Sequence, residues 1–216
     1  MMLSTVIQQL LSGMVTSIEI FLLTLLFSLP LGLVVAGGRM SNFAPIKWLA
    51  KIYISIMRGT PLMLQLIVVF FAPYYVFGIN LSADYRFIAV IIAFTINYAA
   101  YFAEIYRGGI ESINSGQYEA AQVLGYSKIQ TFFIIILPQV FKIILPSVTN
   151  EVITLVKDTS LSFVIAIPEM FTVAKQIAAA DASIAALLVA GIFYYVFNIV
   201  VAFVMEHIEH KLDYYE

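Results

Sequence analysis

Stretches of the chain that carry no Asp, Glu, Lys or Arg include residues 20–38, 59–83, 87–103 and 182–205, which are 19, 25, 17 and 24 residues long. A helix advances about 1.5 Å per residue, so about 20 apolar residues cross a hydrocarbon core roughly 30 Å thick. Each run predicts a membrane-spanning helix. A fifth is less obvious because polar residues interrupt it. The stretch between Lys142 and Glu169 is long enough to cross, yet holds Glu151, Lys157 and Asp158 near its middle. A charge at bilayer depth costs about 2.5–3.5 kcal/mol on insertion scales, so these three belong where they face a cavity or a partner. The pattern predicts five spans, at about 14–38, 59–80, 85–106, 143–168 and 183–206, with a long segment 107–142 between the third and fourth. An odd number of crossings puts the termini on opposite sides.

Composition agrees: 62% of the 216 residues are hydrophobic and only 11% charged. A soluble domain carries about 25% charged residues, so the expected class is an all-α integral membrane protein. With the N-terminus outside, the inner segments collect Arg39, Lys47, Lys51, Arg58, Arg107, Lys128, Lys142 and Lys211, while the outer ones keep Arg86 and Lys175. The positive-inside rule then predicts N-out and C-in. The outer segments are acidic, with Asp84, Glu169 and Asp181. A net charge of −2 and the lack of a basic arm argue against nucleic acid. With no cysteine, disulfides, thiolate metal sites and a Cys nucleophile are excluded. MMLSTVIQQLLS lacks the basic start and small-residue cleavage pattern of a removable signal, so the first run is expected to be a permanent span. No linker, repeat or low-complexity tract divides residues 1–216, which read as a single transmembrane domain.

Before the second span, Lys47, Lys51, Ser55 and Arg58 fall on one helical face and Ile46, Leu49, Tyr53 and Ile56 on another. That pattern suits a helix lying in the membrane interface, or a snorkelling connector. The segment 107–142 has its own helix grammar. Asn114 with Gln117 reads as a capping box before YEAAQVL, Gly125 stops that helix, and Ser127 with Gln130 starts a second one.

Within this hairpin, Glu119, Ala120 and Ala121 are followed after three residues by Gly125, and after nine more by Ile135-Ile136-Leu137-Pro138. The spacing resembles the EAA loop of ABC importer membrane subunits at every gap. The flanking motifs Arg58-Gly59-Thr60-Pro61, Tyr101-Phe102-Ala103-Glu104, Arg107-Gly108-Gly109-Ile110, Gly116-Gln117 and Lys157-Asp158-Thr159-Ser160-Leu161 narrow it further. Together they resemble the permeases that serve polar amino acids such as histidine, glutamine, glutamate, arginine and opines. The resemblance implies a five-helix type I importer core in a bacterial or archaeal cell membrane, with a coupling helix between helices 3 and 4. It also implies a second permease chain, identical or related, two copies of an ATP-binding subunit that carries ATP and Mg, and an extracellular or periplasmic solute-binding protein. Glu119, Ala120, Ala121 and Gly125 would contact the ATPase, and this chain would bind no cofactor.

Candidate substrate contacts come from helical spacing. Ser147, Glu151, Thr154, Asp158 and Ser162 form one polar stripe on the fourth span, and Asn97, Tyr101 and Glu104 form another on the third. Two stripes on neighbouring spans predict a shared aqueous path. Lys157 has no acid three or four residues away, so its partner is expected from Glu104, from Glu151 or from the carboxylate of a substrate. Glu104 has a local alternative in Arg107. The break at Thr60 and Pro61 frees backbone groups that either bind a ligand or simply end the preceding helix. Glu19, near the outer boundary, suits a pore mouth. Four deep acids, Glu19, Glu104, Glu151 and Asp158, against one base, Lys157, favour a cationic amino acid as cargo.

Other functions are weaker. His207 and His210 lack a third deep ligand, so no metal site is expected, and no HExxH, GxSxG or phosphate-binding loop occurs. The chain is not expected to be an enzyme. A stand-alone channel or ion-coupled secondary carrier would use polar stripes equally well, but such carriers usually have repeated halves.

Overall fold

Prolines and glycines decide where the apolar runs bend. The computed structural model describes residues 3–82 and 84–212, so the ends of the sequence at 1–2 and 213–216, including the last residues of the His-containing tail, lie outside it. In chain order the helices are α1 (Leu3–Arg39), α2 (Ala44–Gly59), α3 (Leu62–Phe77), α4 (Tyr85–Glu111), α5 (Ser115–Val123), α6 (Lys128–Gln130), α7 (Leu137–Asp158), α8 (Met170–Ala180) and α9 (Ala185–Leu212). A π-helical stretch, Thr131–Ile136, joins α6 to α7, and a 3-10 stretch, Thr159–Ile165, continues α7. Among the described residues four helical runs are long and apolar enough to span a membrane: Ser4–Arg39, Tyr85–Glu111, Lys128–Ile165 and Ala185–Lys211. The pair α2 and α3, bent by 110°, makes a fifth if taken as one broken span.

Three boundaries differ from expectation. The first span, expected at 14–38, begins at Leu3 and is 37 residues long, roughly 55 Å at the helical rise. Its extra turns are held by packing at the end remote from the hairpin. Leu10 is buried, and Gly13 lies so close to α8 that a Cβ there would meet Met170 Cα at 2.8 Å. The fourth span, expected at 143–168, begins at Lys128, because the helix that starts at Ser127 runs without a break into the bilayer segment. Third, α8 occupies what read as a plain outer loop. Its hidden face, Met170, Ala174 and Ile177, joins Val6, Leu10, Ala186 and Ala190 in a small core of its own.

The main core surrounds α4. Against it α1 lays a seam of small residues, Ser17, Thr24, Ser28, Gly32 and Ala36, four or seven apart and all buried. A Cβ at Gly32 would lie 2.9 Å from Phe102 Cβ, so glycine is what allows the two backbones to meet. In lipid, where apolar burial drives no association, such close packing is what holds helices together. Outward faces are correspondingly greasy: Leu188, Ile192, Tyr195, Ile199 and Phe203 of α9 are all exposed.

The break between α2 and α3 has a local cause. Pro61 has no N–H and so leaves the carbonyl of Met57, four residues back, without its helical donor. Gln65 Nε2 donates to that oxygen at 2.9 Å and Asn97 Nδ2 at 3.1 Å. Gln65 also reaches the Thr60 carbonyl and hydroxyl, and Asn97 donates to Gln65 Oε1 at 2.9 Å. Two buried amides thus satisfy an elbow inside an apolar bundle.

Candidate functional site

The elbow opens into a cavity of about 380 Å³. Thr60, Pro61 and Leu62 form one wall, α4 supplies Asn97, Tyr98 and Tyr101, and α7 supplies Glu151, Thr154 and Asp158, with Leu161 beyond. Asn97 lies about 18 Å along α4 from its start, which puts the cavity deep in the bundle. Two carboxylates face it in different states. Asp158 accepts a 2.7 Å hydrogen bond from Tyr98 Oη. Glu151 has no hydrogen-bond or ion-pair partner among the described residues. Thr154 donates its hydroxyl to the Asn150 carbonyl at 2.8 Å, and Asn97 is committed to the elbow. The first turn of α3 starts at Leu62 in the same wall; Leu64 N and Gln65 N donate to the Pro61 carbonyl, which leaves the Leu62 and Met63 N–H groups without a helical acceptor.

Of the seven expected substrate contacts, Asn97, Tyr101, Glu151, Thr154 and Asp158 come together here. Glu104 and Lys157 do not. Glu104 is turned toward the hairpin end of the bundle, where Arg107 holds it at 2.6 Å, Arg39 at 3.6 Å and Arg58 at 3.9 Å. Arg107 also pairs with Glu111. The local alternative for Glu104 is therefore the one realised, with two further arginines that spacing along α4 did not reveal. Lys157 is exposed and outside the cavity lining. It meets neither Glu104 nor Glu151, because the helix turns it one residue away from the stripe that holds Asp158. Gln65 is not among the expected contacts; the signal for it is the one amide within the apolar helix Leu62–Phe77.

The hairpin 112–130 is the second site. Asn114 caps α5 by accepting from Gly116 N at 2.8 Å, but Gln117 does not close the expected box. Ser127 and Gln130 do close theirs. Between them, Tyr126 N bonds to the Ala121 carbonyl and Gly125 N to the Gln122 carbonyl, both at 3.0 Å, with Gly125 at φ +83°. That bond pair terminates a helix through a left-handed residue, a conformation in which glycine carries no Cβ penalty. Ala121 is buried against the hairpin's second arm, while Glu119, Ala120 and Gly125 are exposed. Exposed with them are Val123, Leu124 and Ile129, from 72 to 88%. Three large apolar side chains at the tip of a hairpin form a patch that water disfavours and a partner protein would cover.

At the opposite end, Glu169 is fully buried. It caps α8, accepting from Phe171 N and Thr172 N at 2.7 Å, from Thr172 Oγ1 at 2.8 Å and from Tyr194 Oη at 2.9 Å. Burial pushes its carboxyl above the ordinary carboxylate range, while these four donors pull it back. Another cavity at this end is lined by Thr16, Glu19, Asp84, Arg86 and Phe87.

Residues 28–214 match the family model for the binding-protein-dependent transport system inner membrane component. The chain is 36% identical over 206 residues to the L-cystine transport system permease protein TcyB of Bacillus subtilis (strain 168), covering 94% of this chain and 86% of that one. It is 36% identical over 203 residues to the arginine transport system permease protein ArtQ of the same organism, covering 94% and 91%. A solved structure of an amino acid ABC transporter with histidines superposes with a TM-score of 0.86 at 30% identity, over 94% of each chain.

Proposed function

The chain belongs to the binding-protein-dependent transport system inner membrane components, the multi-pass membrane subunits of ABC importers, and on that premise we propose that it carries a cationic amino acid through the cavity beside the Thr60-Pro61 elbow. As a permease it is a transport subunit rather than an enzyme, and the self-powered channel or carrier that polar spans also permit is set aside by its family. The reading rests on Glu151, a deep carboxylate that faces the cavity with no partner of its own. With Asp158 it makes the site doubly acidic, and relatives include a permease named for arginine. In this arrangement the side-chain cation and α-ammonium of the cargo meet Glu151 and Asp158. Its carboxylate meets the first-turn N–H groups of α3, where the helix dipole favours an anion. Tyr101 and Thr154 complete the lining.

Energy enters through the hairpin. Glu119, Ala120, Ala121 and Gly125 dock in a groove of the ATPase, with Val123 and Leu124 as apolar anchors, so that this end is cytoplasmic and the N-terminus external. The 107–142 segment is a lever of the single domain 1–216, because α5 leads back to α4 while α6 continues through the π-helical stretch into α7. Both cavity walls are thereby attached to the same contact. Moving a two-state gate from 1:99 to 99:1 takes about 5.5 kcal/mol of differential binding, which a closely capped hairpin transmits better than a loose one. The complete importer pairs this chain with a second permease copy or relative, two ATPase subunits and a receptor.

Equilibrium binding to the purified permease–ATPase complex tests the cargo: arginine and lysine bind, glutamate does not, and Glu151→Gln weakens arginine about tenfold, the worth of one lost charge contact near 1.4 kcal/mol. Equal binding of glutamate overturns it. Charge reversal at Glu119 is expected to release the ATPase in pull-down while the permease stays folded, and unaltered association overturns the coupling assignment.

A further inference from the structure

Arg58 opens the motif that ends in the elbow, and the transport reading leaves it without a task. Its guanidinium lies over the ring of Tyr101, 5.3 Å from the centroid, on the hairpin side of the cavity. Two residues later Thr60 and Pro61 line that cavity themselves. On one side Arg58 reaches Glu104 at 3.9 Å, the longest of the three arginine contacts that carboxylate makes, and its side chain remains 45% exposed. On the other side, the Tyr101 ring on which it stacks lines the same cavity as Glu151. A cation stacked on an aromatic ring, loosely paired behind and facing an unpartnered acid ahead, is held in neither place.

We propose that Arg58 is a resident counter-cation of the acidic cavity, competing with the cargo for Glu151 and driving its release toward the hairpin end. The inference rests on the cationic-cargo reading and adds what that reading lacks. Two deep carboxylates alone would hold a cation tightly, and a transporter must also let go. When cargo occupies Glu151, Arg58 retreats to Glu104, which Arg107 and Arg39 already anchor. When the gate opens on that side, Arg58 returns and replaces the departing charge, so the cavity is never left with bare acids. Glu104 keeps a role in transport as the rear partner of this cation rather than as a contact of the substrate.

The test measures two quantities on the complete complex with its ATPase and receptor: equilibrium affinity for arginine and for glutamine in the absence of receptor, and maximal uptake in proteoliposomes. Arg58→Gln is expected to tighten arginine about tenfold, the worth of one removed competing charge, to leave glutamine within about twofold, and to slow maximal arginine uptake because release is retarded. Arg58→Lys, which keeps the charge, restores the arginine-to-glutamine ratio. In a Glu151→Gln background the tightening disappears. Weaker arginine binding in Arg58→Gln, or equal shifts for both amino acids, overturns the proposal, since the first makes Arg58 a contact of the substrate carboxylate and the second makes it structural. A wild-type complex that binds neither arginine nor lysine overturns the cargo reading and this inference together. Wild-type binding of arginine that Arg58→Gln leaves unchanged overturns this inference alone.

Discussion

Glu151 and Glu169 lie eighteen residues apart, both within the bundle, and have opposite surroundings. Glu169 is fully buried and has four donors around its carboxylate, two backbone N–H groups and two hydroxyls. Glu151 is partly open and has none among the described residues. A carboxylate whose lone pairs are all taken is a structural element: it fixes the first turn of α8 and ties it to α9 through Tyr194. One that is deep and untaken costs free energy at rest, and that cost is tolerated where a ligand or a mobile cation supplies the missing contact. Acidity and depth, which a sequence reveals, do not separate the two. Partner count does.

The largest expected effect breaks the structural member of this pair. Glu169→Ala leaves two buried N–H groups, the Thr172 hydroxyl and the Tyr194 hydroxyl without their acceptor. A buried cap lost in this way costs about 2 kcal/mol and each orphaned donor adds to it, so a destabilisation of roughly 3 kcal/mol is expected. Thermal unfolding in detergent should show a clearly lowered midpoint with α8 loosened. Glu151→Gln is the counterpart: the same measurement should show little loss, because the substitution leaves no donor in the protein without its acceptor. If the midpoints of the two variants fall together, the distinction between them is wrong.

A smaller effect tests whether Asn97 and Gln65 belong with Glu169 or with Glu151. They line or adjoin the cavity, yet their amides are committed to the Met57 carbonyl that Pro61 leaves free. Gln65→Ala takes one of its two donors from that carbonyl, ends the contacts to Thr60 and removes one acceptor of the Asn97 amide, at a cost of about 1–3 kcal/mol. Cargo affinity should change only as far as the elbow moves, so the unfolding midpoint is the sharper readout. Asn97 was legible in the sequence as a deep polar residue but its task was not, since the donor it replaces is missing at Pro61, thirty-six residues earlier. The same limit explains the other differences. Apolar runs, the cap at Ser127 and the stop at Gly125 are local signals: the cap and the stop are where the pattern put them, and four of the runs are helices long enough to span, with a fifth if α2 and α3 are one broken span, although the first and fourth begin earlier than expected. The early start of α1, the helix at 170–180 and the three arginines around Glu104 depend on contacts between distant segments, such as Gly13 against Met170, that no periodicity encodes.

The smallest effect is expected at Lys157. From the sequence it is a lone base among deep acids and a natural partner for a substrate carboxylate. The helix places it one step off the stripe of Glu151, Thr154 and Asp158, exposed and outside the lining. A side chain that touches neither cavity nor core has little to lose on substitution. Lys157→Gln should leave arginine affinity within about twofold, since the side chain is outside the cavity lining. That small change would separate two uses of positive charge in one permease: Lys157 on the outer surface of α7, and Arg58 stacked on Tyr101 at the cavity edge, where removing the charge should alter selectivity. A tenfold loss of arginine binding in Lys157→Gln would instead put the carboxylate contact on α7 and move the cargo away from the first turn of α3.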